Sequence, residues 1–205
     1  IAEVSSNHCQ DFPTARMLIE QAALAGAQAV KFQTFTAAEI AVDIPILTGY
    51  EPAHDAWVAR MGVKTLHDLY AKGGLPRAWH AELKHIAEDV GLHFLSTPFS
   101  VDAARFLVEE IGVPAIKIAS GDLTFTPLLE YAANTGLPLL VSTGMATLAE
   151  AEHAYWKELG NVLPLCFLHC TSSYPLAPSQ ANLHAITTMR EKFLCPIGYS
   201  DHSTD

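Results

Sequence analysis

Positive charge is scarce in this sequence. The 205 residues include 12 lysines and arginines against 22 aspartates and glutamates, which gives a formal net charge of -10. That sign is wrong for a protein that covers the phosphates of a nucleic acid. We therefore expect no nucleic-acid partner, and we expect any anionic ligand to be held by a few cations placed close to it.

Long hydrophobic runs and paired cysteines are also missing. Apolar stretches such as 137–141 and 163–168 reach about six residues, far short of the roughly 20 that span a bilayer. The four cysteines, Cys9, Cys166, Cys170 and Cys195, show no CxxC spacing. We therefore expect reduced thiols in a cytoplasmic protein with no membrane partner. Hydrophobic residues still make up 50% of the chain, enough for a sizeable core.

Short apolar runs rich in β-branched residues recur along the chain, and helical segments separate them. Continuous runs of this kind are typical of parallel strands that are buried on both faces. The predicted strands are 1–4, 29–34, 93–97, 115–120, 137–143, 162–169 and 196–200. A doubly wound open sheet and a (β/α)8 barrel both fit. No Gly-rich phosphate turn follows the first strand, which favours a barrel with seven of its eight strands present.

Capping signals mark several of the helices between these strands. Ser100 is a predicted N-cap for a helix that ends at Gly112, and Thr147 with Glu150 forms a capping-box pattern. The segment 35–75 separates the second and third strands and holds several prolines and glycines. We expect it to be a long functional loop inserted over one end of the sheet.

Charged side chains interrupt three of the apolar strands. Lys31 lies in AVKFQT, Lys117 in AIKIAS and Glu3 in the first strand. A buried lysine costs several kcal/mol to desolvate unless an anion meets it, as a rough figure. Each lysine is therefore either half of a structural ion pair or a ligand for an anion. Glu3 is either the partner of one lysine or a catalytic carboxylate.

Hydroxyl groups collect where the predicted strands end. One alone would be a simple helix N-cap, but five strands ending this way predict a mouth lined with oxygen atoms. These residues are Ser96, Thr97, Ser120, Ser142, Thr143, Thr171, Ser172 and Ser200. His202, in YSDHS, is the best metal candidate, while the spacing of Cys166, His169 and Cys170 favours core packing over zinc.

Seven motifs carry a family resemblance. They are IAEVSSNH, AGAQAVKFQTF, FLSTPFS, VPAIKIASGDL, TGLPLLVSTGMAT, LHCTSSYP and GYSDHS. In this order they resemble the sialic acid (N-acetylneuraminate) synthase family, whose members condense phosphoenolpyruvate with an N-acetylated amino sugar. The resemblance implies a TIM (β/α)8 barrel over 1–205, followed in the family by an antifreeze-like domain, and a homodimer.

The resemblance also implies roles for individual residues. Glu3, Lys31 and Lys117 match catalytic positions, with both lysines and Tyr174 on phosphoenolpyruvate, and Glu3 with Gln33 at the sugar end. Further phosphoenolpyruvate positions match Thr97, Ser120, Ser142, Ser172 and Ser200, where Ser172 stands in place of an asparagine found in some members. His202 matches one of two histidines that bind divalent manganese or magnesium.

Departures from the family pattern affect both the metal site and the substrate. In family members, a second metal histidine follows the eighth strand and an antifreeze-like domain comes after it, so the resemblance predicts that a sequence ending at Asp205 is incomplete at its C-terminus. The motifs leave the acceptor sugar open among sialic, pseudaminic and legionaminic acid synthesis. A Schiff-base aldolase and a non-catalytic barrel fragment that binds a phosphorylated ligand or a partner are the alternatives.

Overall fold

The computed structural model describes residues 1–45, 59–60, 62–160 and 164–204. The chain divides into two compact units, Ile1–Phe94 and Leu95–Asp205. Both are α/β units with parallel strands. Among the described residues, no helix combines the length and apolar character needed to cross a bilayer.

The first unit alternates strands and helices around a small sheet with the order β1-β2-β3. A 3-10 turn at Arg77–Trp79 precedes its last helix, and β3 begins at the end of the unit. The elements are β1 (Ala2–Glu3), α1 (Phe12–Leu24), β2 (Ala29–Thr34), α2 (Ala37–Ile40), α3 (Leu66–Gly73), α4 (His80–Asp89) and β3 (His93–Pro98).

Local sequence explains where α1 begins and ends. The Asp11 carboxylate accepts a hydrogen bond from the Thr14 backbone N–H at 2.9 Å, and Pro13 occupies the first turn, where its missing N–H costs nothing. Gly26 follows the helix with a φ of 82°, a conformation that glycine adopts without strain. Ala15 and Ile19 of α1 are fully buried, whereas Met17 and Leu24 are exposed.

Aromatic packing forms the core of the first unit. Phe32 of β2 stacks on Phe94 of β3 with ring centroids 5.5 Å apart, and the His80 ring meets Phe94 edge-on at 6.2 Å. All three side chains are buried, together with Leu83 of α4. Burial on this scale holds β2 in the middle of its sheet, and the span of β2 is apolar except at Lys31, Gln33 and Thr34.

The prediction of a long loop over 35–75 is wrong for its described part. Helices α2 and α3 occupy 37–40 and 66–73, while 46–58 and 61 lie outside the described residues. Thr36 and Glu39 form a reciprocal capping box, and the Thr65 hydroxyl accepts from the Asp68 N–H at 3.0 Å. These capping interactions start two helices within a segment that its prolines and glycines predicted to be a loop.

The second unit carries a four-stranded parallel sheet with the order β4-β5-β6-β7. Helices lie between its strands, and π-helical turns extend two of them, at Phe106–Ile111 and Ala154–Glu158. The elements are α5 (Val101–Arg105), β4 (Ile116–Ile118), α6 (Thr126–Ala133), β5 (Leu139–Ser142), α7 (Leu148–His153), β6 (Leu165–Cys170), α8 (His184–Lys192) and β7 (Ile197–Ser200).

The predicted caps of the second unit are confirmed. The Ser100 hydroxyl accepts from the Ala103 N–H at 2.9 Å, and Thr147 with Glu150 forms the capping box at the start of α7. Gly112 takes the left-handed conformation with φ 67° and ends the helical segment. Apolar residues of the strands and of the helical segments form one core, including Phe167, Ile118, Leu128, Leu139, Val141 and Tyr155.

Candidate functional site

Lys117 is a buried ammonium group at the C-terminal end of β4. Only 6% of the residue is exposed, and its Nζ donates to the Ser142 hydroxyl and to the Ile118 carbonyl, each at 2.7 Å. Both acceptors are neutral oxygens that orient the ammonium group, and its positive charge also acts on the carboxyl group of Asp122. An oriented cation in a dry setting attracts an anion far more strongly than a cation in water does.

Hydroxyl and thiol groups from the neighbouring strands surround the backbone of Gly144. The Gly144 N–H donates to the Ser120 hydroxyl at 2.9 Å. A Cβ on Gly144 would lie 2.5 Å from Ser172 Oγ, 2.8 Å from Ser120 Oγ and 2.9 Å from Cys170 Sγ. Only glycine allows this close approach. We call Lys117, Ser120, Ser142, Gly144, Cys170 and Ser172 the strand-end cluster.

Two further predicted residues of the second unit also lie at strand ends. Ser200 ends β7, where the register pairs it with Cys170 of the strand-end cluster. Thr97 is buried near the end of β3. Ser120, predicted within a strand, instead follows β4 in a 3-10 turn, which turns its hydroxyl toward the Gly144 N–H.

Asp122, which no sequence pattern singled out, lies in the same turn as Ser120. Its Oδ2 is buried and accepts no hydrogen bond from the described residues. Burial raises the pKa of Asp122 to about 6, and the positive charge of Lys117 opposes that rise. A carboxyl group with such a pKa changes protonation near neutral pH and can exchange a proton with a ligand.

His202 is held in one tautomer by its neighbours. Its Nδ1 lies 2.9 Å from the Thr171 carbonyl oxygen, which can only accept, so Nδ1 carries the proton. Its Nε2 therefore presents a lone pair, and the Tyr174 hydroxyl donates to it at 3.0 Å. The two rings lie 4.0 Å apart, although Tyr174 itself is mostly exposed.

This arrangement suits His202 as one ligand of a metal ion. A metal-binding histidine commonly donates its other ring N–H to a carbonyl, which fixes the ring and frees the second nitrogen. Asp201 does not take that part, because its carboxylate accepts from the Ser203 backbone and hydroxyl instead. Across the described residues, no group of three His, Cys, Asp or Glu side chains could enclose an ion. His202 fits as a single donor, and the described residues do not complete the ligand set.

Cys166, His169 and Cys170 belong to the packing of β6. His169 Nε2 lies 2.8 Å from the Ala181 carbonyl, and its ring stacks on Tyr199 at 5.8 Å. The four cysteines are all free, as expected. The core-packing interpretation of His169 therefore agrees with its contacts.

The predicted residues of the first unit share one face of its sheet. The parallel register places Glu3 opposite Lys31, and the two side chains form an ion pair. Gln33 lies two residues beyond Lys31 on β2 and so points to the same side. Lys31 is nearly buried, whereas Glu3 is exposed. Glu3 is thus the partner of a lysine, and its catalytic role stays a prediction.

Two histidines of the first unit are fully buried. His80 donates from Nδ1 toward the Pro76 carbonyl at 3.2 Å and accepts at Nε2 from the Thr34 hydroxyl at 2.8 Å. Burial lowers the pKa of His80 to about 4. His8 accepts from the Gln10 N–H at 3.0 Å, and burial lowers its pKa as well. Both imidazoles are therefore neutral at pH 7.

A protein-family comparison matches the NeuB family over residues 18–205. The chain belongs to the NeuB family. The resemblance seen in the seven motifs is confirmed, and the α/β fold with parallel sheets agrees with the solved structures described below.

Three curated proteins illustrate the similarity of this NeuB chain to named synthases. It is 36% identical over 210 residues to the N,N'-diacetyllegionaminic acid synthase of Legionella pneumophila, covering 99% of the chain and 57% of the relative. It is 33% identical over 208 residues to the pseudaminic acid synthase of Helicobacter pylori, covering 99% and 58%. The human N-acetylneuraminate-9-phosphate synthase is 33% identical over 213 residues, with coverage of 100% and 55%. The chain spans about half the length of these relatives.

Two solved structures are also similar to this chain. The N-acetylneuraminic acid (sialic acid) synthetase of Leptospira borgpetersenii superposes with a TM-score of 0.82 at 35% identity, covering 98% of this chain and 64% of that one. A DAHP synthase of Thermotoga maritima superposes with a TM-score of 0.64 at 16% identity, covering 99% and 52%. At that identity, the second likeness shows a shared fold alone.

Proposed function

We propose that this protein is a synthase that condenses phosphoenolpyruvate with an N-acetylated amino sugar and water, giving a nonulosonic acid and phosphate. The observation that carries the proposal is the strand-end cluster, in which buried Lys117 donates to neutral oxygens beside a set of hydroxyl groups. A compact dianionic phosphate suits such a group of donors in a protein of net charge -10.

The reaction needs a binding site for an anion and a group that stabilises a transient cation. The C3 carbon of phosphoenolpyruvate forms a bond to the aldehyde carbon of the sugar, which leaves cationic character at C2. Water adds at C2, and the C2–O bond to phosphate breaks. One proton of the water ends on the former aldehyde oxygen, and the other leaves with the phosphate. The strand-end cluster is proposed to orient the phosphate throughout.

Glu3 is proposed to stabilise the developing cation or to help activate the water. Its carboxylate is exposed on one face of the first unit's sheet, beside Lys31 and on the same side as Gln33. A carboxylate in this position can stabilise positive charge that develops on a substrate. The roles of Lys31 and Gln33 in substrate binding are likewise proposals that follow from family membership.

A divalent manganese or magnesium ion is proposed as the cofactor, with His202 Nε2 as one ligand. When bound, such an ion supplies Lewis acidity to an aldehyde oxygen. Titration with Mn²⁺ followed by electron paramagnetic resonance tests the ligand directly. We expect His202→Gln to weaken Mn²⁺ binding and His153→Gln, at an exposed position, to leave it unchanged. Equal binding in both variants contradicts the assignment.

The predicted barrel and homodimer remain part of the proposal. The likeness to the sialic acid synthetase structure supports the barrel. Sedimentation of the full chain tests the dimer.

The acceptor sugar is open among the three activities named in the relatives. Phosphate release from phosphoenolpyruvate, measured with Mn²⁺ and either N-acetylmannosamine or 2,4-diacetamido sugars, separates sialic acid synthesis from pseudaminic and legionaminic acid synthesis. We expect release with one sugar class and none without a sugar. No release with any sugar on the full chain rejects the function.

A Schiff-base aldolase is the weaker rival. It would use a lysine as nucleophile, and borohydride would then trap pyruvate on the protein. Lys117 Nζ instead donates to two oxygens, which suits an ammonium that holds an anion. We expect borohydride to trap nothing.

A further inference from the structure

Ser5 follows β1 in a conformation that a residue with a side chain rarely adopts. Its φ is 48°, in the left-handed region where glycine is the least strained residue. The chain thus turns back immediately after Val4, whose N–H donates to the Lys31 carbonyl at 2.8 Å and completes the pairing with β2. This turn brings the Ser5 backbone and side chain over Glu3.

Two donors of Ser5 meet the same carboxylate oxygen. The Ser5 N–H lies 3.1 Å from Glu3 Oε1, and the Ser5 hydroxyl lies 2.8 Å from it. The other oxygen, Oε2, forms the ion pair with Lys31. Both oxygens of Glu3 are therefore held, one by Ser5 and the other by Lys31.

The left-handed turn alone does not account for the hydroxyl bond. Any residue at this φ presents its backbone N–H to Oε1, but only a side chain with a donor adds a second bond. Hydrogen bonds to a charged carboxylate are among the stronger ones in proteins. An exposed carboxylate that lacked them would sample several rotamers.

We infer that Ser5 is a positioning residue, whose hydroxyl holds the Glu3 carboxylate in one orientation against Lys31. The inference rests on the proposed function, in which Glu3 acts on the substrate. A fixed carboxylate needs no reorganisation when charge develops beside it, which is the main advantage of a preorganised site.

Two variants separate the hydroxyl from the backbone. Ser5→Gly and Ser5→Ala both remove the hydroxyl, but only glycine relieves the left-handed turn. We expect both to lower kcat about tenfold, the loss expected for one hydrogen bond to a charged group. The KM for phosphoenolpyruvate should stay within about twofold, because Ser5 acts through Glu3. Unchanged kcat in Ser5→Gly, or a loss confined to Ser5→Ala, overturns the inference.

A second measurement does not depend on activity. The carboxyl ¹³C resonance of Glu3, assigned by its disappearance in Glu3→Gln, reports the hydrogen bonds at this group. We expect it to shift in Ser5→Gly and to stay in place in Ser203→Ala, whose hydroxyl instead donates to Asp201. A resonance that does not move in Ser5→Gly contradicts the contact. Absence of phosphate release by the wild-type chain would reject the proposed function alone, since the resonance still tests Ser5.

Discussion

Each of the two units buries one lysine in a parallel strand, but the two lysines meet different partners. In the first unit, Lys31 forms an ion pair with Glu3. In the second unit, Lys117 donates to the Ser142 hydroxyl and the Ile118 carbonyl. An ion pair offsets the charge of its lysine, and hydrogen bonds to neutral oxygens orient the ammonium group of the other. The proposed anion-binding role of Lys117 therefore rests on its burial and on the hydroxyl groups around it.

The units also differ in how their buried titratable groups respond to pH. The first unit holds buried histidines, and burial lowers the pKa of His80 to about 4. The second unit holds Asp122, and burial raises its pKa to about 6. Acid therefore destabilises the first unit through His80, and alkali destabilises the second through Asp122.

The largest effect expected is that of removing the Lys117 ammonium. Lys117→Met keeps the aliphatic volume but leaves the hydroxyls without their cation. We expect kcat/KM for phosphoenolpyruvate to fall on the order of a thousand-fold, as for other lost charge partners of a bound anion. Steady-state phosphate release measures it. The matched control is Lys157→Met, at an exposed lysine of the same unit. Equal activities in the two variants would contradict the proposed role of Lys117 in anion binding.

The second-largest effect expected is a loss of stability of the first unit in acid. The pKa of His80 is lower in the folded state, so its contribution to stability is complete above its ordinary value of 6.5 and is lost as pH falls toward about 4. The full loss is on the order of 3 kcal/mol. Hydrogen exchange across α4 at pH 7 and pH 4.5 measures it.

Matched histidine variants show whether that loss belongs to His80. His80→Gln should flatten the pH dependence of exchange in α4, while His85→Gln, at an exposed position, should retain it. A pH dependence that survives in His80→Gln would assign the acid sensitivity to other groups, among them His8.

Gly144→Ala tests whether the strand-end cluster needs its close backbone approach. The added methyl would lie within 2.9 Å of Ser120, Cys170 and Ser172. We expect a loss of about 1–3 kcal/mol in unfolding free energy, the usual range for overpacking, together with weaker phosphoenolpyruvate binding. Urea denaturation and calorimetry measure the two effects. Gly121→Ala is the control, because a Cβ there meets nothing within 4 Å; equal losses in both would refute the packing argument.

Asp122→Asn should give the smallest change in stability, and its dependence on pH should be opposite to that of His80. The pKa of Asp122 is raised to about 6 from 3.8, so its contribution favours the folded state at low pH and is lost as pH rises through about 6. We expect the variant to be more stable than wild type at pH 8, by less than about 1 kcal/mol, because Asp122 as a whole residue is only half-buried although its Oδ2 is covered. Thermal unfolding at pH 4 and pH 8 checks it, with Glu191→Gln as an exposed control. A variant less stable at pH 8 would contradict this sign.

The sequence predicted the approximate positions of the strands and the presence of two lysines within them. The span of β2 was predicted residue for residue, because an apolar run buried on both faces leaves few other choices. Lys31 and Lys117 were noticeable since each interrupts such a run. The hydroxyls at Ser120, Ser142 and Ser172 were found in the same way, from their places after strands.

Other features of the site depend on contacts that no linear pattern contains. Gly144 matters because three side chains from other segments surround it, and Asp122 matters because its oxygen is buried. The Thr171 carbonyl oxygen orients His202, whereas the adjacent Asp201 does not. Because every residue has a backbone carbonyl group, the sequence gives no signal for this contact. Helices α2 and α3 were not predicted, because the prolines and glycines of 35–75 favoured a loop.

Hydrogen exchange in the presence of phosphoenolpyruvate tests the central claim most directly, because it reports which segments the ligand covers. We predict slower exchange at 119–122, 143–145 and 170–173, the segments that carry the hydroxyls, glycine and thiol of the strand-end cluster, and no such slowing in Lys117→Met. Unchanged exchange at these three segments under saturating phosphoenolpyruvate, with protection elsewhere in the chain, would contradict the account.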